Sequence, residues 1–143
     1  MYSDAKTYLS AYLVTQGYTA APVTKRDSSE LSALEYHNYF IIKPGATKEG
    51  LRPNTVKQEI IIIVHKAESE MAVTASTDIE AATADECSVL VNKLAKAVNA
   101  DTAGRNAAIW DDVSGETGES RQGDYDYRTI TITIPIIFTP TES

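Results

Sequence analysis

Arg128-Thr129-Ile130-Thr131-Ile132-Thr133-Ile134-Pro135-Ile136-Ile137-Phe138 is the stretch that decides the fold class. Threonine and isoleucine alternate with a period of two. An extended chain therefore puts Ile130, Ile132 and Ile134 on one face and Thr129, Thr131 and Thr133 on the other. β-Branched residues suit a pleated, half-buried surface, and threonine meets water or a partner without carrying charge. Pro135 has no N–H to give a ladder, which predicts a bend or an edge position at that point.

Upstream of this strand, Ser114–Gly123 is rich in glycine and acid and reads as a loop, and Ala107, Ile109 and Trp110 read as a strand running into Val113. The two strands would form a long hairpin with an acidic, mobile tip over residues 114–124. Thr83-Ala84-Asp85-Glu86 matches a capping box and opens a predicted helix to Ala100, with Cys87, Leu90, Val91, Leu94 and Val98 as its apolar stripe. Further upstream, Tyr36–Ile42 and Gln58–His65 read as strands. The first ends at a Lys43-Pro44-Gly45 turn, and the four consecutive isoleucines of the second call for burial on both faces. Residues 3–16 read as a helix with Ala5, Leu9, Tyr12 and Leu13 along one side and Gly17 as its stop. A short strand is expected near Ala21–Val23, and Lys66–Ala82 is polar and weakly patterned. Helix, strand, strand, helix, strand, strand is an α+β order. It predicts a single domain over residues 1–143, with two main helices packed on one face of a mainly antiparallel sheet.

The chain has 143 residues, 43% hydrophobic and 23% charged, which fits a globular domain. No apolar run approaches the roughly 20 residues needed to span a bilayer, and Met1–Lys6 lacks the features of a secretory signal, so a soluble protein made in a reducing cytoplasm is expected. A single cysteine, Cys87, excludes an internal disulfide and reads as a small buried hydrophobe. The formal net charge of −7 argues against a broadly basic nucleic-acid surface. A local basic patch remains around Lys43, Lys48, Arg52 and Lys57.

Chemistry, if present, would lie in the carboxylates Asp111, Asp112, Glu116, Glu119, Asp124 and Asp126, opposed by Arg121 and Arg128. Their register is not that of an EF-hand loop, and His37 and His65 lack metal-ligand spacing, so neither a metal nor another cofactor is expected. The sequence contains no nucleophile elbow, phosphate loop or dinucleotide fingerprint. Two roles for the acidic segment fit these residues: a solvated loop, and a partner-facing or channel-lining segment whose charge repels a polyanion. A third, general acid–base hydrolysis by Asp111, Asp112 and Glu116 in a small cytoplasmic enzyme, needs a rigid mount that a glycine-rich loop does not supply.

The helix Ser3–Gln16, the strands Tyr36–Ile42 and Gln58–His65, the helix Thr83–Ala100 and the pair Ala107–Val113 and Tyr125–Phe138 cover most of the chain. In that order, and with the closing segment Asp126–Pro135, the chain resembles the tail terminator (tail completion) proteins of long-tailed bacteriophages; Lys66–Ala82 lies outside the likeness. The resemblance implies a structural virion protein of the tail–neck region, assembled in the host cytoplasm and not an enzyme. It would form a hexameric ring that caps the tail tube protein, joins the head-side connector or neck protein, and lets DNA pass through its lumen without specific binding. A ring subunit needs two unlike surfaces that meet head to tail. The candidate contact edge is the Thr129–Phe138 strand, with Thr129, Thr131 and Thr133, together with Tyr8 and Tyr12 of the first helix; the other reading makes Thr129–Phe138 an internal strand of the monomer. A head–tail connector of the same virion is the nearest alternative.

Overall fold

The computed structural model describes residues 2–22, 37–50, 52–71, 76–101, 108–122 and 125–140. Two helices, α1 (Tyr2–Thr15) and α2 (Ser76–Ala100), pack on a sheet of six strands. The strands are β1 (Thr19–Ala20), β2 (Tyr39–Glu49), β3 (Val56–Ala67), β4 (Ala108–Trp110), β5 (Ser114–Gln122) and β6 (Tyr125–Phe138). The order is β1-β2-β3-β6-β4, with β5 also pairing β6. Every pairing is antiparallel except the two-residue β1–β2 contact, so the fold is α+β with a mainly antiparallel sheet.

The Thr/Ile alternation sets the two faces of the sheet. Ile130, Ile132 and Ile134 lie opposite Val64, Ile62 and Ile60, and all six are fully buried. Phe40 and Ile42 extend this face on β2. Ala5, Leu9 and Leu13 of α1 and Cys87, Leu90, Leu94 and Val98 of α2 close over it in one cluster. Burying each large aliphatic side chain contributes about 1.5–3 kcal/mol, so this stripe is the main source of stability. The other face carries Thr129, Thr131 and Thr133, half-buried beside Ile61, with Ile41, Ile63, His65 and Tyr127 buried nearby. The isoleucine run is thus split between faces, as its length demanded.

Helix α1 stops where Gly17 adopts φ +94°. The Gly17 N–H donates to the Val14 carbonyl at 3.1 Å and the Tyr18 N–H to the Leu13 carbonyl at 3.1 Å, a Schellman closure in which glycine relieves the steric cost.

Several expected boundaries move. Helix α2 begins at Ser76, so Thr83 and Glu86 do not form a capping box. Thr83, nearly fully buried inside the helix, donates its hydroxyl to the Ile79 carbonyl at 2.7 Å. Lys43-Pro44-Gly45 is not a turn: β2 runs through it to Glu49, absorbing the local signal as a bulge between Pro44 and Thr47. The first short strand is Thr19–Ala20, ahead of Ala21–Val23, and β4 ends at Trp110 without continuing to Val113. Residues 114–122, expected as the mobile acidic tip, are strand β5, paired with β6 from Ser114↔Thr133 to Gln122↔Tyr125. Residues 123 and 124, the rest of the expected tip, lie outside the described residues.

Pro135 is neither at a bend nor at an edge. It sits inside β6, opposite Glu59 of β3, where the outer partner changes from β5 to β4. The Asp111 N–H donates to the Pro135 carbonyl at 2.9 Å on that outer side. A residue's N–H and C=O point to the same side of a strand, so the missing donor falls in the gap between two partners and breaks no ladder bond.

Candidate functional site

The expected contact edge does not exist in the chain as folded. β6 has neighbours on both sides, β3 along one and β5 then β4 along the other, so Thr129, Thr131 and Thr133 stand in the middle of the sheet. Tyr8 and Tyr12 are likewise engaged internally. The Tyr8 hydroxyl donates to the Ala97 carbonyl at 2.7 Å and Tyr12 to the Lys93 carbonyl at 3.3 Å, which ties α1 to α2. Tyr8 also lies 6.2 Å from the Trp110 ring centroid.

The described acidic candidates lie on or beside β4, β5 and β6, in unlike surroundings. Asp111 follows β4 and makes an ion pair with Lys57 at 3.3 Å, while its Oδ1 accepts the Asp112 N–H at 2.8 Å. That backbone donor first, and Lys57 second, hold its carboxyl below the ordinary range. Its charge is committed to Lys57, which makes it a poor proton donor near neutrality. Asp112 and Glu116 are exposed. Glu119, though exposed, reaches back to Arg128 at 3.3 Å. Asp126 is half-buried and partnered; Asp124 lies outside the described residues. Among the described residues no group of three His, Cys, Asp or Glu side chains is placed to hold a metal ion.

The densest polar construction lies at the end of the β3–β6 ladder. Lys66 and Arg128 are directly opposite each other on the helix-bearing face, and both are buried. Two like charges so placed require counter-ions. Lys66 reaches Glu86 of α2 at 2.9 Å and bonds the Asn38 side-chain oxygen. Arg128 takes Glu68 at 3.0 Å and Glu119 at 3.3 Å. Tyr18 donates its hydroxyl to the second oxygen of Glu86 at 2.8 Å, and burial, reinforced by that carboxylate, pushes its pKa upward. Beside it the Ala67 N–H donates to Nδ1 of His37 at 3.0 Å. Burial first, and Lys66 second, lower the His37 pKa, which keeps Nδ1 free to accept.

Each cation in this network is answered by a carboxylate from another element. It therefore acts as a clamp that fixes α2 and the Glu68–Glu70 3-10 turn to the sheet. Sequence reading missed the clamp, yet the signal was there. Lys66 is in phase with Ile60, Ile62 and Val64, and Arg128 with Ile130, Ile132 and Ile134, which puts both on the buried face.

The remaining feature is strand β5. Ser114 to Glu119 are exposed, and among the described residues nothing pairs with β5 on the side away from β6. It comes close to α2 at Gly115, where an added Cβ would meet Val91 Cγ2 at 2.7 Å and Cys87 Sγ at 2.9 Å. Cys87 is buried under this contact, and burial raises its thiol pKa, with Glu116 a lesser cause. No helix among the described residues is long and apolar enough to cross a membrane. No protein-family model matches the chain, and no curated protein matches it.

Proposed function

We propose that this chain is a structural virion protein of a bacteriophage tail–neck region. It assembles into a hexameric ring that terminates the tail tube and joins it to the head-side connector. The observation that carries this reading is the open edge of β5. A nine-residue strand with one side unpaired among the described residues is a liability in a free monomer, and an assembly that covers it removes the liability. The element order on which the likeness to tail terminators rests adds support, with α1, the β2–β3 pair, α2 and the closing hairpin in sequence.

The acidic flank suits a ring through which DNA passes. Asp112, Glu116 and Glu119 are exposed carboxylates on and beside β5, and like charge lowers the adhesion of a polyanion without any specific contact. The protein in this reading works by being in place, with no turnover. Negative-stain electron microscopy of the purified protein at high concentration tests it. Closed rings with a central opening are expected. Isolated compact particles at every concentration would count against the ring.

A further inference from the structure

The two outer edges of the sheet have complementary construction. On one side is β5, exposed from Ser114 to Glu119. On the other, β1 covers only the start of β2, at Tyr39 and Phe40, and among the described residues nothing pairs with β2 beyond it. Pro44 and Ala46–Glu49 are exposed there. Both free stretches are extended and of similar length.

Charge distinguishes the two edges. Lys43 lies opposite Ile61, and Lys48 opposite Lys57, so both lysines project from the face that carries no helix. Glu116 lies opposite Thr131 and projects from that same face. Lys48 and Lys57 form a like-charge cross-strand pair, which is unfavourable unless neutralised. Lys57 has Asp111 at 3.3 Å. Among the described residues Lys48 has no carboxylate within ion-pair distance, and Glu116 has no cation within it.

We infer that β5 of one copy pairs with the free part of β2, Lys43–Glu49, of the next copy, bringing Glu116 of one beside Lys48 of the other. This deepens the ring reading and rests on it. Strand sense agrees. β2, β3, β6 and β5 alternate in direction across the sheet, so β5 and β2 run oppositely. A rotation about an axis roughly along the strands preserves those directions, and the junction continues the antiparallel alternation. The contact is head to tail and uses different surfaces on its two sides, as a closed ring requires. Backbone hydrogen bonds would supply the affinity, and the Lys48–Glu116 contact the register.

The test uses the full chain carrying Lys48→Glu, Glu116→Lys, or both, with assembly followed by light scattering over a concentration series at low salt. Each single variant should raise the concentration at half-assembly by about tenfold or more, and the double reversal should restore it. At concentrations where all are monomeric, none of the three should melt appreciably below wild type, because both side chains are exposed. In a second variant pair, Lys48→Cys and Glu116→Cys in one chain should give a ladder of linked chains on oxidation that neither single cysteine gives. Rings that form with wild-type concentration dependence in both single charge variants and yield no ladder would overturn the edge pairing and leave the ring reading intact. A wild-type protein that stays monomeric throughout would overturn both.

Discussion

Glu86→Gln probes the ionic clamp with the least change of shape. The amide keeps an oxygen for the Tyr18 hydroxyl but removes the charge facing Lys66, whose side chain is 7% exposed against 30% for Glu86. Lys66 is left with Asn38 as its remaining close polar partner. Breaking a buried pair typically costs ~3–5 kcal/mol, because a charge stays buried without its counter-ion. Water reaches Glu86, so the expected loss is smaller, about 2–3 kcal/mol. With a urea slope of roughly 2 kcal/mol per molar, the unfolding midpoint followed by circular dichroism should fall by about 1–1.5 M. Adding Lys66→Met removes the stranded charge, and the double variant should return to within about 1 kcal/mol of wild type. A Glu86→Gln midpoint equal to wild type would rule out a stabilising coupling between Glu86 and Lys66. So would a double variant that loses the sum of the two single effects.

Leu94→Ala, at a fully buried position of α2, should cost ~2–5 kcal/mol in the same assay, and an unchanged midpoint would mean the helix face is misassigned. Gly115→Val should destabilise by about 1–3 kcal/mol through collision with Val91 and Cys87, whereas a loop at 114–122 would tolerate it. His37 should make stability pH-dependent. Its folded pKa lies below the ordinary 6.5, so between the two values the unfolded chain binds more protons. Its contribution is therefore complete above about pH 6.5 and is lost as pH falls toward the folded pKa. Comparing urea midpoints at pH 7.5 and 5.5 checks this, and His37→Gln should flatten the dependence.

The parts of the fold legible in the sequence were those set by periodicity. The 2-residue alternation of Thr129–Ile134 named the buried face correctly, and the stripe Cys87–Leu90–Leu94–Val98 named the face of α2 that joins the core. Local turn chemistry misled. Lys43-Pro44-Gly45 and the glycines of Ser114–Gln122 have the composition of loops, yet both lie in strands. In β2 a bulge accommodates the irregularity. In β5 the missing side chain at Gly115 lets α2 approach, a tertiary reason that no propensity carries. The capping signal at Thr83 failed in the same way, because Thr83 bonds back to Ile79 within a longer helix. Of the site, the acidic residues were visible as a cluster, but not that Asp111 and Glu119 are committed to Lys57 and Arg128. Pairing across sheet register decides that, and it also turned the expected contact edge of β6 into the middle of the sheet.

Assembly into the proposed ring is tested most directly by the solution mass of the purified chain, measured by light scattering over a concentration series. A species of six times the 15.6 kDa chain mass is expected, growing at the expense of the monomer as concentration rises. A single-chain mass at every concentration would contradict it.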